Sequence, residues 1–396
     1  MRLNQSTLKA SSVHARARAI LVEELEMHDY SPTLSAPVVA SMLLLAACWQ
    51  TSLSGACTLV KDPPCRETLR KAVQACLPPK PRRLVQSLLS ALRRTLPDQL
   101  TRLPQVMALD MHQRPYYGNK KGRRKAKGTT RRQKKASTRH SFTYATLAVL
   151  TSWGRFTVAM MAVRPHMRLT TVIEELLEQA QEAGLSILYL MMDKEFYAAE
   201  VIDWLQRADV AFLIPAARKP SNKHLYDPKT AVGWYEYSWT GKLMRLDAKR
   251  EKRVNKGKLT VTVKACVARS RKDGKPLVYI ASGISKWAPD QVVRAYRTRF
   301  GIEASYRQLG SCLARTSSRS ERLRLLLVGV ALLLCNLWAW LHSEVFSRGA
   351  LCETRLRLSA MRLLPMIVGL VAVIAARFGG LVDEWTAQRP LPPCLM

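Results

Sequence analysis

Residues 170 to 214 read TTVIEELLEQAQEAGLSILYLMMDKEFYAAEVIDWLQRADVAFLI. Val172, Ile173, Leu176, Leu177 and Ala180 recur at three- and four-residue spacing, which is one face of a helix, and Gly184 stands at its C-terminal stop. Ile187–Met192 is then an unbroken apolar run, too short for a helix, and reads as a buried strand closing on Asp193. Ala198–Ala208 returns to helical spacing, and Val210–Ile214 is a second short apolar strand, ended by Pro215. Buried strands alternating with amphipathic helices predict an α/β fold with helices packed on a sheet.

Upstream, Val106–Met111 is another short apolar run, read as a buried strand that ends at Asp110. Ser141–Thr151 and Arg155–Val163 are rich in β-branched and aromatic residues and flank Ser152-Trp153-Gly154, the pattern of a hairpin. The order β-β-β-α-β-α-β is that of an RNase H-like mixed sheet flanked by helices, with the first strand central and the Asp193 strand parallel beside it. Residues 216–283 break this rhythm. Trp234–Trp239, Lys258–Ala268 and Leu277–Ala281 alternate like antiparallel strands between the Lys- and Gly-rich turns Asn255–Lys258 and Arg271–Lys275, predicting a separate β-rich insertion. A helix follows over Asp290–Phe300, continued after Gly301 by Ile302–Leu309. The first hundred residues read as helices (Ala15–Met27, Val38–Gln50, Arg66–Cys76, Arg83–Thr95) broken by prolines. The expected layout is an N-terminal helical, DNA-binding region over 1–104, a core in two parts over 105–215 and 284–345, the insertion over 216–283, and a helical tail over 346–396.

Sixty-three Lys and Arg against 29 Asp and Glu give a formal charge of +34. Self-repulsion on that scale calls for a polyanion, with nucleic acid the first choice and an anionic membrane its competitor. The charge concentrates in Asn119–Lys135, which carries Lys120, Lys121, Arg123, Arg124, Lys125, Lys127, Arg131, Arg132, Lys134 and Lys135 with no acid among them. That segment reads as a flexible loop that gains order against phosphates. Nine cysteines without a C-x-x-C pair read as reduced thiols, and no apolar stretch follows the first residues as a signal peptide would require. The expected location is therefore the cytoplasm, on the nucleoid. Of three apolar stretches, Pro37–Cys48, Leu325–Leu341 and Leu363–Ala376, only the second approaches the length of a membrane span, and Asn336 interrupts it. A buried core helix, with no membrane partner, is the expectation.

Phosphodiester cleavage by two hard cations needs carboxylates converging from separate elements. Asp110 and Asp193 follow neighbouring parallel strands, so they meet at one end of the sheet, and Glu303 on the late helix is placed to complete a set of three. Singly, each acid has a plainer reading: a turn or helix cap for an aspartate, a surface ion pair with Arg299 or Arg307 for Glu303. The joint occurrence in a polycationic chain favours the metal reading.

Tyr296-x-x-Arg299-x-x-x-Glu303 resembles the Tyr–Arg–Glu–Lys signature of DDE-superfamily insertion-sequence transposases, in the branch with a β-strand insertion before the last acid. Leu109-Asp110-Met111-His112 with Tyr116-Tyr117-Gly118 resembles that branch's first-acid motif, and Met192-Asp193-Lys194-Glu195-Phe196-Tyr197 its second. The resemblance covers residues 105–342, and Gly310 stands where the signature has its Lys. It implies a transposase with two Mg²⁺ or Mn²⁺ ions on Asp110, Asp193 and Glu303, acting on double-stranded transposon ends and target as a homodimer. Tyr296, Arg299 and Arg307, with the basic segment, would contact DNA, and Trp234, Trp239, Trp287 and Phe300 are candidate platforms for a flipped base, with core packing the favoured reading of each Trp. Two other readings share these residues: a decayed, non-catalytic DNA-binding protein, and an RNase H-like nuclease of repair or recombination.

Overall fold

The computed structural model of the chain describes residues 8–118, 128–135, 138–151, 154–247, 252–343 and 363–383, and for 130–135, 139, 244–247, 252–256 and 300–308 it describes the backbone alone. Strand β1 (Gln105–Pro115) is central. On one side it pairs antiparallel with β3 (Thr138–Leu150), which pairs antiparallel with β4 (Arg155–Val163). On its other side β5 (Ile187–Met191) runs parallel to it, and β6 (Phe212–Pro215) parallel to β5. The order β4-β3-β1-β5-β6 is the RNase H-like order expected from the sequence.

Three features differ from the expectations. β1 does not stop at Asp110 but continues to Pro115, because β3 keeps pairing with it as far as Pro115↔Ser141. The second half of the basic segment is strand β2 (Thr130–Lys135), paired with the start of β3, whereas 119–127 lies outside the described residues. A sheet edge satisfies backbone N–H and C=O groups whatever the side-chain charge, and composition alone hides this. The insertion is not a separate sheet. Its strands β7 (Gly233–Asp247), β8 (Lys252–Arg269) and β9 (Pro276–Ser282) form a meander, and β9 pairs antiparallel with β6, so the core sheet runs on through them. Alternation gives a strand's two faces but not its edge partner.

Two helices, α6 (Leu169–Glu182) and α7 (Ala199–Arg207), cover one face over Leu109, Leu147, Val158, Leu190 and Ile214. The opposite face is shared. Helix α8 (Pro289–Ser311) lies over Ala108, Tyr189, Met191, Leu213 and Tyr279, and it is one continuous helix through Gly301. Beside it, α9 (Glu321–Leu341) packs on the β3–β4 side in one core with the N-terminal helices α1 (Ala10–Glu24), α2 (Ala36–Cys48), α4 (Arg66–Ala75) and α5 (Pro81–Arg93), and with the C-terminal α10 (Leu363–Ala376). The short α3 (Leu53–Ala56) links α2 to α4. The N-terminal helices thus have no core of their own: apolar stripes too large to bury alone close over α9.

Helix α9 explains the longest apolar stretch. Ser320 caps it by accepting from the Leu323 N–H at 3.2 Å. By length and composition it would suit a membrane span, yet 83% of its most apolar window is buried within the protein. Gly329 lets α5 approach, since a Cβ there would fall 2.5 Å from Leu88 Cδ2. Asn336 is fully buried and faces β4, where its Oδ1 accepts from the Thr157 N–H at 2.8 Å and its Nδ2 donates to the Thr157 C=O at 2.9 Å. One side chain satisfies both backbone groups of a strand residue at a break in the β3–β4 register. Replacing Asn336 with Leu should leave both groups buried without partners, at about 1–3 kcal/mol each. Thermal and urea unfolding should show Asn336→Leu destabilised by several kcal/mol, and a near-neutral result would mean water or another group takes over the pair.

Candidate active site

Parity along the strands assigns the acids to a face. On β1, Met107 and Leu109 enter the core under α6 and α7, so Ala108 and Asp110 face α8. On β5, Leu190 points to the first core while Tyr189 and Met191 face α8. Asp193 follows in the same parity, with extended backbone (φ −78°, ψ 164°). The parallel register pairs Ala108 with Met191, the last residue of β5, so that Asp193, two residues beyond it, follows on the same side as Asp110. The plain reading of Asp193 also holds: one carboxylate oxygen accepts from the Lys194 N–H and caps the 3-10 turn Lys194–Phe196. Asp110 likewise commits Oδ1 to the Met111 N–H, at 2.8 Å.

Helix α8 crosses this point through Val292, Val293 and Tyr296, all buried against the sheet. The Tyr296 ring packs on Tyr279 at 5.1 Å between centroids, and its hydroxyl donates to the Met192 C=O at 3.4 Å. Burial pushes this phenol's pKa well up, so it stays protonated. One turn later Arg299 reaches between the acids. Its Nη2 lies 3.5 Å from Asp110 Oδ1 and 4.0 Å from Asp193 Oδ2, and its Nη1 donates to the Tyr296 hydroxyl at 3.2 Å. The Arg299 side chain is 7% exposed, against 17% for Asp110 and 37% for Asp193. Tyr296 and Arg299, expected to grip DNA, are here turned inward, onto the sheet and onto the carboxylates.

Burial pushes the Asp110 carboxyl up to about 6, opposed by the Arg299 guanidinium and the Met111 N–H and reinforced by the negative charges of Asp193 and Glu195. In the sequence Glu195 is no more than a motif neighbour. Its effect on Asp110 depends on the turn capped by Asp193, which no spacing rule announces.

The third acid, Glu303, lies on α8 two helical turns beyond Tyr296, where the backbone alone is described. Among the described residues no group of three or more His, Cys, Asp or Glu gathers to hold a metal. The two aspartates nevertheless fit a hard divalent cation. They present oxygen donors from β1 and from the turn just beyond β5, and burial keeps the charged form of Asp110 costly even beside Arg299. The side chains of Arg131, Arg132 and Arg307 fall outside the described residues, and Lys120, Lys121, Arg123, Arg124 and Lys125 lie outside them entirely. At Gly310 a Cβ would meet nothing within 4 Å, so no packing demands glycine where the signature has Lys.

Trp234, Trp239 and Trp287 are packed against the protein. Trp239 is buried and stacked on Tyr197 at 4.9 Å and on Tyr237 at 5.3 Å. Trp234 donates its indole N–H to the Trp287 C=O at 2.8 Å, and Trp287 meets Tyr189 edge-on at 5.3 Å. The Phe300 side chain is outside the described residues.

The family model for the transposase DDE domain matches residues 101–337, well over half of the chain. No curated protein matches its sequence. Among solved structures, a piggyBac transposase in a synaptic complex with hairpin DNA, determined by cryo-electron microscopy, is similar over 96% of this chain and 82% of its own, with a TM-score of 0.53 and 10% identity. At that identity the likeness is one of fold.

The raised pKa of Asp110 has a consequence for stability. A carboxyl that holds its proton more tightly when folded contributes stability that is full below the ordinary 3.8 and is lost as pH rises through about 6. In the metal-free protein, Asp110→Asn should therefore gain stability relative to wild type between about pH 4 and about pH 7. Thermal melts of both proteins across that range test it, and parallel curves would show that Asp110 titrates as an ordinary aspartate.

Proposed function

We propose, from the premise that this chain belongs to the transposase DDE-domain family and is a DNA transposase, that Asp110, Asp193 and Glu303 hold two Mg²⁺ or Mn²⁺ ions and cut and rejoin DNA at transposon ends. Dependence on divalent metal is general in the family, whereas the number and kind of ions belong to this proposal. The observation that carries it is the placement of Asp110 and Asp193 on the same side of the parallel β1–β5 pair, with the helix bearing the third acid laid across them.

When bound, the ions supply Lewis-acid stabilisation of the reacting phosphate and a water activated at neutral pH. The chain's own residues do the rest. Each aspartate has an oxygen tied to the backbone N–H of the next residue, which fixes the orientation of the carboxylate. Arg299 has an Nε–H that is buried with no hydrogen-bond partner among the described residues, a donor available to a phosphate oxygen. In the first reaction the water oxygen bonds to phosphorus as it loses a proton, the bond between phosphorus and the 3′ oxygen breaks, and that oxygen takes up a proton, leaving a 3′-hydroxyl and a 5′-phosphate. That hydroxyl then attacks a second phosphodiester in line, exchanging one P–O bond for another.

Double-stranded DNA is the partner this reading requires, and the formal charge of +34 supports it. The similar piggyBac structure is described as a complex with hairpin DNA, which makes a hairpin intermediate a specific form of the proposal. Action as a dimer on paired ends rests on the family resemblance alone.

Two measurements bear on this. Asp110→Asn, Asp193→Asn and Glu303→Gln should each lower metal-dependent nicking of end-containing duplex by roughly ten-thousandfold or more, as loss of a central catalytic group does, while leaving DNA affinity largely intact. Nicking by Glu303→Gln at the wild-type rate would remove α8 from the chemistry. Residues 119–127 should be deletable without breaking the β2–β3 pairing, and the deletion should flatten the dependence of DNA affinity on salt by close to one power for each phosphate the segment neutralises. A binding isotherm series with an unaltered slope would show that this segment does not touch DNA.

A further inference from the structure

A cation already sits where the proposed site would need one. The Arg299 guanidinium is nine-tenths buried and lies between Asp110 and Asp193 at 3.5 and 4.0 Å. Those separations are long. A guanidinium that locks a carboxylate for structural reasons makes paired hydrogen bonds of about 2.7–2.9 Å. Among the described residues it hydrogen-bonds one phenol, at 3.2 Å, and its Nε is buried without a partner. Charge more than hydrogen bonding ties the group to the two acids, which makes it exchangeable for another cation. It also makes it open to an acceptor that fits its planar donor fork, as a phosphate oxygen pair does.

We propose that Arg299 is the resident counter-ion of the acid pair in the metal-free enzyme, so that a divalent ion binds Asp110 and Asp193 only as the guanidinium gives up its place between them. The inference rests on the site reading above and adds a regulatory property to it. A DNA phosphate that engages Arg299 draws the guanidinium off the carboxylates and so tightens metal binding, and by linkage bound metal tightens DNA binding equally. The site loads fully only when a DNA phosphate is engaged.

The test is calorimetric titration of the full chain with Mn²⁺ alone, without DNA. Arg299→Gln keeps a planar polar side chain and removes the charge. It should bind Mn²⁺ at least about fivefold more tightly than wild type, the lower end of typical coupling. A short duplex should then tighten Mn²⁺ binding more in wild type than in Arg299→Gln. Tyr296→Phe removes the hydroxyl that accepts from Arg299 and should shift Mn²⁺ affinity in the same direction by less, which keeps the test informative if the charge-removing variant does not fold. Affinity for Mn²⁺ equal to or weaker than wild type in the folded variants overturns this inference alone. Mn²⁺ binding that survives in the Asp110→Ala, Asp193→Ala double variant overturns the site reading, and the counter-ion role with it.

Discussion

The parallel pairing of β1 with β5, in the register that sets Ala108 beside Met191, is the constraint on which the rest depends. Side chains alternate along a strand, so this register determines face as well as level. Slipped by one residue, it would turn Asp193 or Asp110 into the core beneath α6 and α7, against Leu190 and Leu109. An isolated carboxylate there would cost several kcal/mol or be forced neutral. The packing of Met107, Leu109, Leu190 and Met192 on one side and Ala108, Tyr189 and Met191 on the other excludes the slip, so the apolar core places the acids.

Helix α8 depends on that placement in turn. It begins only after the three strands of the insertion have extended the sheet beyond β6, and β8 and β9 give it a wider floor through Cys266, Tyr279 and Ala281. Buried Val292, Val293 and Tyr296 fix its rotation, and the Tyr296 hydroxyl on the Met192 C=O ties it to the end of β5, one residue before Asp193. Arg155 of β4 adds an anchor from the far side of the sheet, donating to the Thr298 C=O at 2.9 Å. The insertion therefore serves as part of the bed of the helix that carries the third acid, which is why an excursion of this length can sit between the second acid and the third.

Much of this was legible in the sequence, and the limits are physical. Period and breakers located α6, α7, β4, β5 and α9 closely, because each buries one face or both and stops at a glycine, a proline or a cap. Strand ends brought Asp110 and Asp193 to one end of the sheet, and helical spacing put Tyr296 and Arg299 on one face of α8. What escaped was pairing. β1 outruns its apolar stretch because β3 holds it, β2 forms from polycationic residues because an edge was open, and β9 joins β6 because alternation does not name a neighbour. The direction of Arg299 escaped for a related reason. Spacing put it on the right face of α8, but only the register of two strands distant in sequence shows that this face looks onto two carboxylates.

The Asp110–Arg299–Asp193 cluster is a poor device for stability. Arg299 and Asp110 lose most of their hydration there, at a cost of several kcal/mol per ion, and contacts of 3.5 and 4.0 Å recover that cost less fully than close bidentate pairing would. Apolar residues of similar volume would hold α8 on the sheet as well, as Val292 and Val293 do two turns earlier. Nor does the cluster stand in for missing surface charge, because the chain carries 63 basic residues and has no shortage of cations to place near an acid. What a loosely held guanidinium between two carboxylates offers is exchange: oxygen ligands that accept another cation, and a cation that accepts another oxyanion. A phosphodiester and a divalent metal are a matched pair for that exchange, and the cluster makes physical sense as the state from which both are taken up together.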